Sequence, residues 1–137
     1  MKVRELYKVP SKKIGRVNKN GIKTEPHEDS TALYLTQFGL NIEFIKPRNT
    51  NKARTADLLM MGAAWEAKSP TSSNETTIKT VFKKASSQSD RIIFDLRRVK
   101  RCDDKVEKQI VKMFSGHGRV RKMIIIRKNG ILLEFSK

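Results

Sequence analysis

One cysteine in 137 residues excludes an internal disulfide and any zinc site built on several thiolates. Cys102 sits between Arg101 and Asp103, where nothing beside it marks an activated nucleophile, and a reduced compartment fits such a chain. Aromatic residues make up only 7%, which leaves few rings to stack on bases; Tyr34 and Trp65 both read as core. There are two histidines, His27 and His117. A metal-free ribonuclease wants a general base and a general acid, and no second histidine stands at a readable spacing from the first. No apolar run reaches membrane-spanning length, and Met1 to Pro10 carries charge but lacks the apolar stretch of a secretory signal. Acids are scarce as well, 14 against 30 Lys and Arg, which leaves a formal charge of +16. That excess predicts a polyanionic partner, because clustered cations gain free energy by releasing the counterions of phosphates. Nucleic acid is therefore expected, and no membrane anchor.

The length predicts a single domain, 1–137, able to bury a core without disulfides. Residues 1–23 read as a basic N-terminal arm or hairpin, with Lys12, Lys13, Arg16, Lys19 and Lys23 and a turn signal at Asn20-Gly21. Pro26, followed by Glu28 and Asp29, opens a helix that runs to Phe38 and stops at Gly39. Leu40 to Lys46 reads as a strand, Pro47 to Arg54 as a basic loop, and Thr55 to Met61 and Ala63 to Lys68 as a hairpin turning at Gly62. The breaker cluster Ser69-Pro70-Thr-Ser-Ser-Asn74 ends it. A helix from Thr76 or Thr77 to about Gln88, a buried strand Arg91 to Leu96, a helix Asp103 to Ser115 and a C-terminal hairpin turning at Asn129-Gly130 follow. This order of elements predicts an α/β fold, a mixed sheet flanked by helices.

The hairpin holds the sharpest signal. Side chains alternate across a strand, so Glu66 and Lys68 share one face while Trp65 and Ala67 share the other. Charges in a strand rich in Leu, Met and Trp are costly unless they pair or hold a metal. Asp57, on the outgoing strand, brings a second carboxylate. Glu28 lies on the same helical face as Ala32 and Leu35, which should pack on the sheet, so it is expected to point inward. A capping carboxylate at the helix start is the other reading of Glu28. Three acids converging near one end of a sheet would suit a hard divalent cation.

Asp57 followed by Glu66-Ala67-Lys68, with the first-helix acid Glu28, resembles the PD-(D/E)xK nuclease superfamily. Residues 24–96 correspond to that family's αβββαβ restriction-endonuclease-like core, with residues 97–137 added as a C-terminal helix and hairpin. Ala56 stands where the family motif has its proline. Within the superfamily, Trp65-Glu66-Ala-Lys68-Ser69-Pro70 and Ile92-Ile-Phe-Asp95-Leu are most similar to the C-terminal tRNA nuclease toxin domain of CdiA-type contact-dependent inhibition proteins. The resemblance implies a metal-dependent endoribonuclease toxin that hydrolyses phosphodiester bonds, with tRNA as the expected substrate. In that scheme Glu28, Asp57, Glu66 and the carbonyl of Ala67 hold a divalent metal, Mg2+ first and Mn2+ or Zn2+ next. Lys68 positions the nucleophile or stabilises negative charge, and Gln88 orients the site. It also implies a cognate immunity protein and action in the cytoplasm after delivery as part of a larger toxin.

Lys52, Arg54, Arg97, Arg98, Lys100 and Arg101 fall in loops, where they would either grip phosphates or form a solvated face. A DNA endonuclease of the same superfamily, a junction resolvase or mobile-element nuclease, is the alternative activity. A non-catalytic binding module that has kept the fold is a third reading, disfavoured by the intact Asp57, Glu66 and Lys68.

Overall fold

The computed structural model describes residues 1–46, 57–101 and 104–137, with Asp57 described in its backbone alone. Among the described residues the chain is a mixed α/β protein with three α-helices and eight strands. They form two compact units, one of Tyr7–Trp65 and one of Met1–Leu6 with Glu66–Lys137.

The first unit is built on β2 (Val17–Asn18), β3 (Ile42–Ile45) and β4 (Asp57–Met60), with α1 (Pro26–Thr36). β2 runs parallel to β3, and β3 pairs antiparallel with β4, Phe44 opposite Leu58. β4 turns through Met61 and Gly62 into β5 (Ala63–Lys68), whose first three residues continue the antiparallel pairing, Leu58 opposite Trp65. Both turn residues have positive φ, 53° at Met61 and 75° at Gly62. That pairing gives a two-residue hairpin its matching twist, and only glycine reaches it without cost. Ala32, Leu35, Ile42, Phe44, Leu58, Met60 and Trp65 are buried, and the Trp65 indole donates to the Met60 carbonyl at 3.1 Å.

α1 starts on a reciprocal cap. The Glu25 amide donates to Glu28 Oε1 at 2.8 Å while the Glu25 side chain takes up the amide of Glu28. Next to it the Thr24 hydroxyl donates to Asp29 at 2.6 Å and Lys19 reaches the other oxygen at 3.2 Å. The Thr24 hydrogen bond, against some opposing desolvation and with help from Lys19, holds the Asp29 carboxyl below its usual range. A carboxylate depressed in the folded state contributes stability above its unfolded pKa and loses it as pH falls through the folded value. Asp29→Asn should therefore flatten the acid limb of a Tm-against-pH curve over roughly pH 5 to 2; an unchanged limb would show that the pair contributes nothing to stability.

The second unit is layered. Its strands are the last three residues of β5, then β6 (Arg91–Asp95), β7 (Lys122–Ile126), β8 (Leu132–Ser136) and β1 (Lys2–Leu6). β5, β6 and β7 are parallel; β7, β8 and β1 are antiparallel. The parallel crossovers are α2 (Glu75–Gln88) and α3 (Asp104–Gly116). Asn74 caps α2, accepting from the Thr76 and Thr77 amides at 2.9 and 3.3 Å. Ile78, Phe82 and Ala85 of α2 and Val106, Ile110 and Phe114 of α3 pack on Ile92, Phe94, Met123, Ile125 and Phe135. Phe82 and Phe94 lie parallel at 6.0 Å.

The N-terminal segment departs from the expected basic arm or hairpin. Lys2–Leu6 is an edge strand paired with β8, anchored by Arg4 to Glu134 at 3.0 Å, and Val17–Asn18 pairs with β3. The Asn20-Gly21 turn forms, with φ of 53° and 73°, but joins no hairpin. The two strands find partners far along the chain, Ser136 against Lys2 and Ile42 against Val17.

Candidate active site

In the second unit, strand alternation and register decide which charges meet. Glu66 lies opposite Ile92 and Lys68 opposite Phe94, and register partners on parallel strands share a face. Ile92 and Phe94 belong to the helix-covered core. The Glu66 carboxylate is accordingly driven into the interior, with the residue 2% exposed, and Lys68 Nζ stands 3.2 Å from Oε1. The ammonium itself keeps a solvent path, its side chain 21% exposed. A carboxylate this buried is held ionised only by such a partner or by a cation.

Immediately downstream, the Ser69 hydroxyl oxygen is buried and has no hydrogen-bond partner among the described residues. A buried orphan of this kind costs about 1–3 kcal/mol, so it is an unusual feature in a folded protein. The chain that carries it is fixed from the neighbouring loop. Arg98 Nη1 donates to the Ser69 carbonyl at 3.3 Å and the Lys100 amide to the Thr71 carbonyl at 3.2 Å. Lys128 Nζ donates to the Val99 carbonyl from the other side. The loop is itself clamped by Asp95, 2% exposed at the end of β6, which accepts from Arg97 Nε at 2.9 Å, Nη2 at 2.7 Å and the backbone amide at 3.1 Å. Sequence reasoning gave Asp95 no role of its own. Its signal is a carboxylate closing an apolar strand two residues before Arg97.

The remaining expected site residues are distributed as follows. Ala67 lies opposite Ile93 on the other face of β5. Gln88 is the half-buried last residue of α2, shortly before Ile92, the register partner of Glu66. Glu28 is half-buried and engaged in the α1 cap. Asp57 opens β4 opposite Ile45, and its side chain falls outside the described residues, as do Lys52, Arg54 and Cys102. Of the basic loop residues, Arg97 and Arg98 are tied as above, while Lys100 and Arg101 are exposed. His27 lends its carbonyl to the Thr31 hydroxyl, and His117 packs edge-on to Phe82 at 5.8 Å.

A divalent cation asks for several hard oxygen donors. Around Glu66 the donor chemistry fits: an anionic carboxylate, buried and already oriented by an ammonium. Among the described residues no group of three acids, histidines or cysteines gathers, and the Asp57 side chain lies outside them. No helix among the described residues is long and apolar enough to cross a membrane.

Comparison with known proteins gives three results. No curated protein matches the chain. A chain of the CdiA-CT/CdiI toxin and immunity complex from Burkholderia pseudomallei shares its fold at a TM-score of 0.66 and 19% identity, covering 90% of this chain and 100% of that one. The contact-dependent growth inhibition CdiA C-terminal domain matches residues 54–132, more than half of the chain and the whole run from the β4–β5 hairpin to β8's first residue. The chain belongs to the contact-dependent growth inhibition CdiA C-terminal domain family.

Proposed function

We propose that this domain is a metal-dependent nuclease toxin of contact-dependent growth inhibition, acting on RNA and on tRNA first. The observation that carries the reading is the buried Glu66 paired with Lys68, followed in the chain by a Ser69 hydroxyl that is buried without a hydrogen-bond partner among the described residues. A structural ion pair explains two of these features; it leaves the orphaned hydroxyl without a purpose. Asp57 directly precedes Leu58 and Glu66 directly follows Trp65, and Leu58 and Trp65 are register partners, which supports the assignment of Asp57 and Glu66 as metal ligands. The resemblance adds the Ala67 carbonyl and Glu28 to the proposed set. When bound, Mg2+ or a similar ion supplies Lewis acidity and a water acidified into a nucleophile.

The residues do the rest. Lys68, neutralising Glu66 and open to solvent on one side, places a positive charge where negative charge grows on the phosphoryl oxygens. Gln88 positions the Glu66 side of the site. The Asp95 clamp keeps Arg97 and its loop stationary while substrate binds.

A charge of +16 suits a polyanionic substrate. The similar solved structure is a toxin and immunity complex, which supports a cognate immunity protein for this chain; the match to a CdiA C-terminal domain supports delivery within a larger toxin, and the proposed tRNA substrate would place its action in the cytoplasm of the recipient cell. The test is cleavage of total tRNA, plasmid DNA and branched DNA with and without Mg2+. Cleavage of tRNA that is abolished in excess EDTA and restored by Mg2+ is expected. Cutting of branched DNA alone would transfer the assignment to a DNA endonuclease of the same superfamily, and full activity in EDTA would remove the metal from the scheme.

A further inference from the structure

Residues 8–16 of the first unit form a collar around the C-terminal end of α1. The Val9 amide donates to the Gln37 carbonyl at 2.9 Å and the Gly15 amide to the Thr36 carbonyl at 2.8 Å. Arg16 is pinned twice, its amide on Asn41 Oδ1 at 3.0 Å and its carbonyl receiving the Ile42 amide at 2.9 Å. Between these points the chain makes a 3-10 turn at Ser11–Lys13. The collar thereby satisfies carbonyls that the end of a helix leaves open, which explains why so polar a segment is ordered. It also carries four cations, Lys8, Lys12, Lys13 and Arg16, all exposed. None of them makes an ion pair among the described residues.

Among the described acids of this unit, three lie elsewhere. Glu25, Glu28 and Asp29 are engaged at the opposite end of α1, about 15 Å away for a helix of 11 residues. Glu43 lies on β3 near Arg16 without pairing to it. Two rings belong to the patch. Lys8 Nζ stands 5.0 Å over the Tyr34 ring, and Tyr7, just before the collar, is 72% exposed.

We propose that this collar is the docking surface for the substrate's backbone, a single-stranded or looped segment of RNA whose phosphates meet Lys8, Lys12, Lys13 and Arg16 and whose base stacks on Tyr7. The inference rests on the nuclease reading for the class of ligand only. Cations fixed on an ordered backbone, unpaired, with an exposed ring at one end, are what strand binding without sequence readout uses. A membrane surface would ask for an amphipathic helix with an apolar face, and the collar offers one 3-10 turn. Complementing the negative end of α1, which has no basic residue in its last turn, is the structural alternative.

The experiment uses the whole chain with Glu66→Gln in EDTA, so that binding is read without cleavage, and total tRNA as the probe. Neutralising the collar with Lys8→Gln, Lys12→Gln, Lys13→Gln and Arg16→Gln should weaken binding about tenfold or more and reduce the slope of log affinity against log salt by about 3. The control removes the same charge from exposed helix faces, Lys79→Gln, Lys83→Gln, Lys84→Gln and Lys112→Gln, and should shift both quantities far less. Tyr7→Ala should lower affinity without changing the slope. Should the fourfold collar variant unfold, Lys12→Gln alone is read, with a slope change of about 0.7 expected. Equal losses in collar and control would reduce the effect to global charge and overturn the proposal. So would a collar variant that keeps its tRNA affinity while losing melting temperature, or while losing affinity for phosphatidylserine vesicles or polyglutamate. Failure of cleavage in wild-type protein, with the binding pattern intact, would count against the nuclease reading alone.

Discussion

Glu66→Gln should lower single-turnover RNA cleavage by at least about 100- to 1,000-fold, equivalent to roughly 2.7–4 kcal/mol of transition-state stabilisation, while the protein stays folded. The substitution keeps the shape of a side chain that is 2% exposed and removes its charge. A neutral amide is a poor ligand for a hard cation, and it no longer pairs with Lys68, whose partly open ammonium can turn to water instead. That solvent path keeps the structural cost small compared with stripping one partner from a fully buried pair. Lys68→Met tests the other half: it leaves a buried carboxylate without its ammonium, so it should cost both activity and stability. The two variants together separate chemistry from scaffolding. An ion pair with a purely structural duty predicts lower melting temperatures and undiminished cleavage in both; a folded Glu66→Gln protein that still cuts at the wild-type rate would end the assignment.

The Glu66 and Lys68 pairing was readable in advance because a period of two leaves no choice of face once the strand is recognised, and an apolar neighbourhood makes any inward charge conspicuous. α2, β6 and the C-terminal hairpin were legible for a similar reason: Ile78, Phe82 and Ala85 repeat at helical spacing, and Ile92, Ile93 and Phe94 form an apolar run, all buried as their pattern demands. The hairpin turn was placed on Gly62 alone, since methionine is not a residue that announces a left-handed backbone, yet Met61 adopts it. The edge strands β1 and β2 were illegible because nothing local makes them. Arg4 meets Glu134 across 130 positions, and Lys-Val-Arg-Glu-Leu alternates too weakly to declare a strand before its partner is known. Arg97 shows the limit for charge. A loop arginine reads as a phosphate ligand until the carboxylate two residues earlier is seen to hold three of its donors. Glu28 had two readings from the start, and its capping bond to the Glu25 amide realises one of them.

Gly15→Ala should destabilise the protein by about 3 kcal/mol or more, lowering the midpoint of thermal unfolding by roughly 10 °C. A β-carbon at this position would stand 1.8 Å from the Leu40 carbonyl oxygen and 2.4 Å from its carbon. Both are backbone atoms, so no rotamer relieves the overlap. Leu40 leads into Asn41 and β3, and Gly15 is bound through its own amide to the Thr36 carbonyl at 2.8 Å. To admit one methyl group the collar must lift away from α1, giving up that bond and the grip of Asn41 on the Arg16 amide. By contrast Gly118→Ala, where an added β-carbon meets nothing within 4 Å, should leave the midpoint nearly unchanged. If collar order is what presents Lys12, Lys13 and Arg16 to a phosphate backbone, Gly15→Ala should also weaken tRNA binding below the melting transition without removing a single charge. A protein with Gly15→Ala that melts like the wild type would show that the collar yields cheaply, and that the close approach to Leu40 is not what holds it.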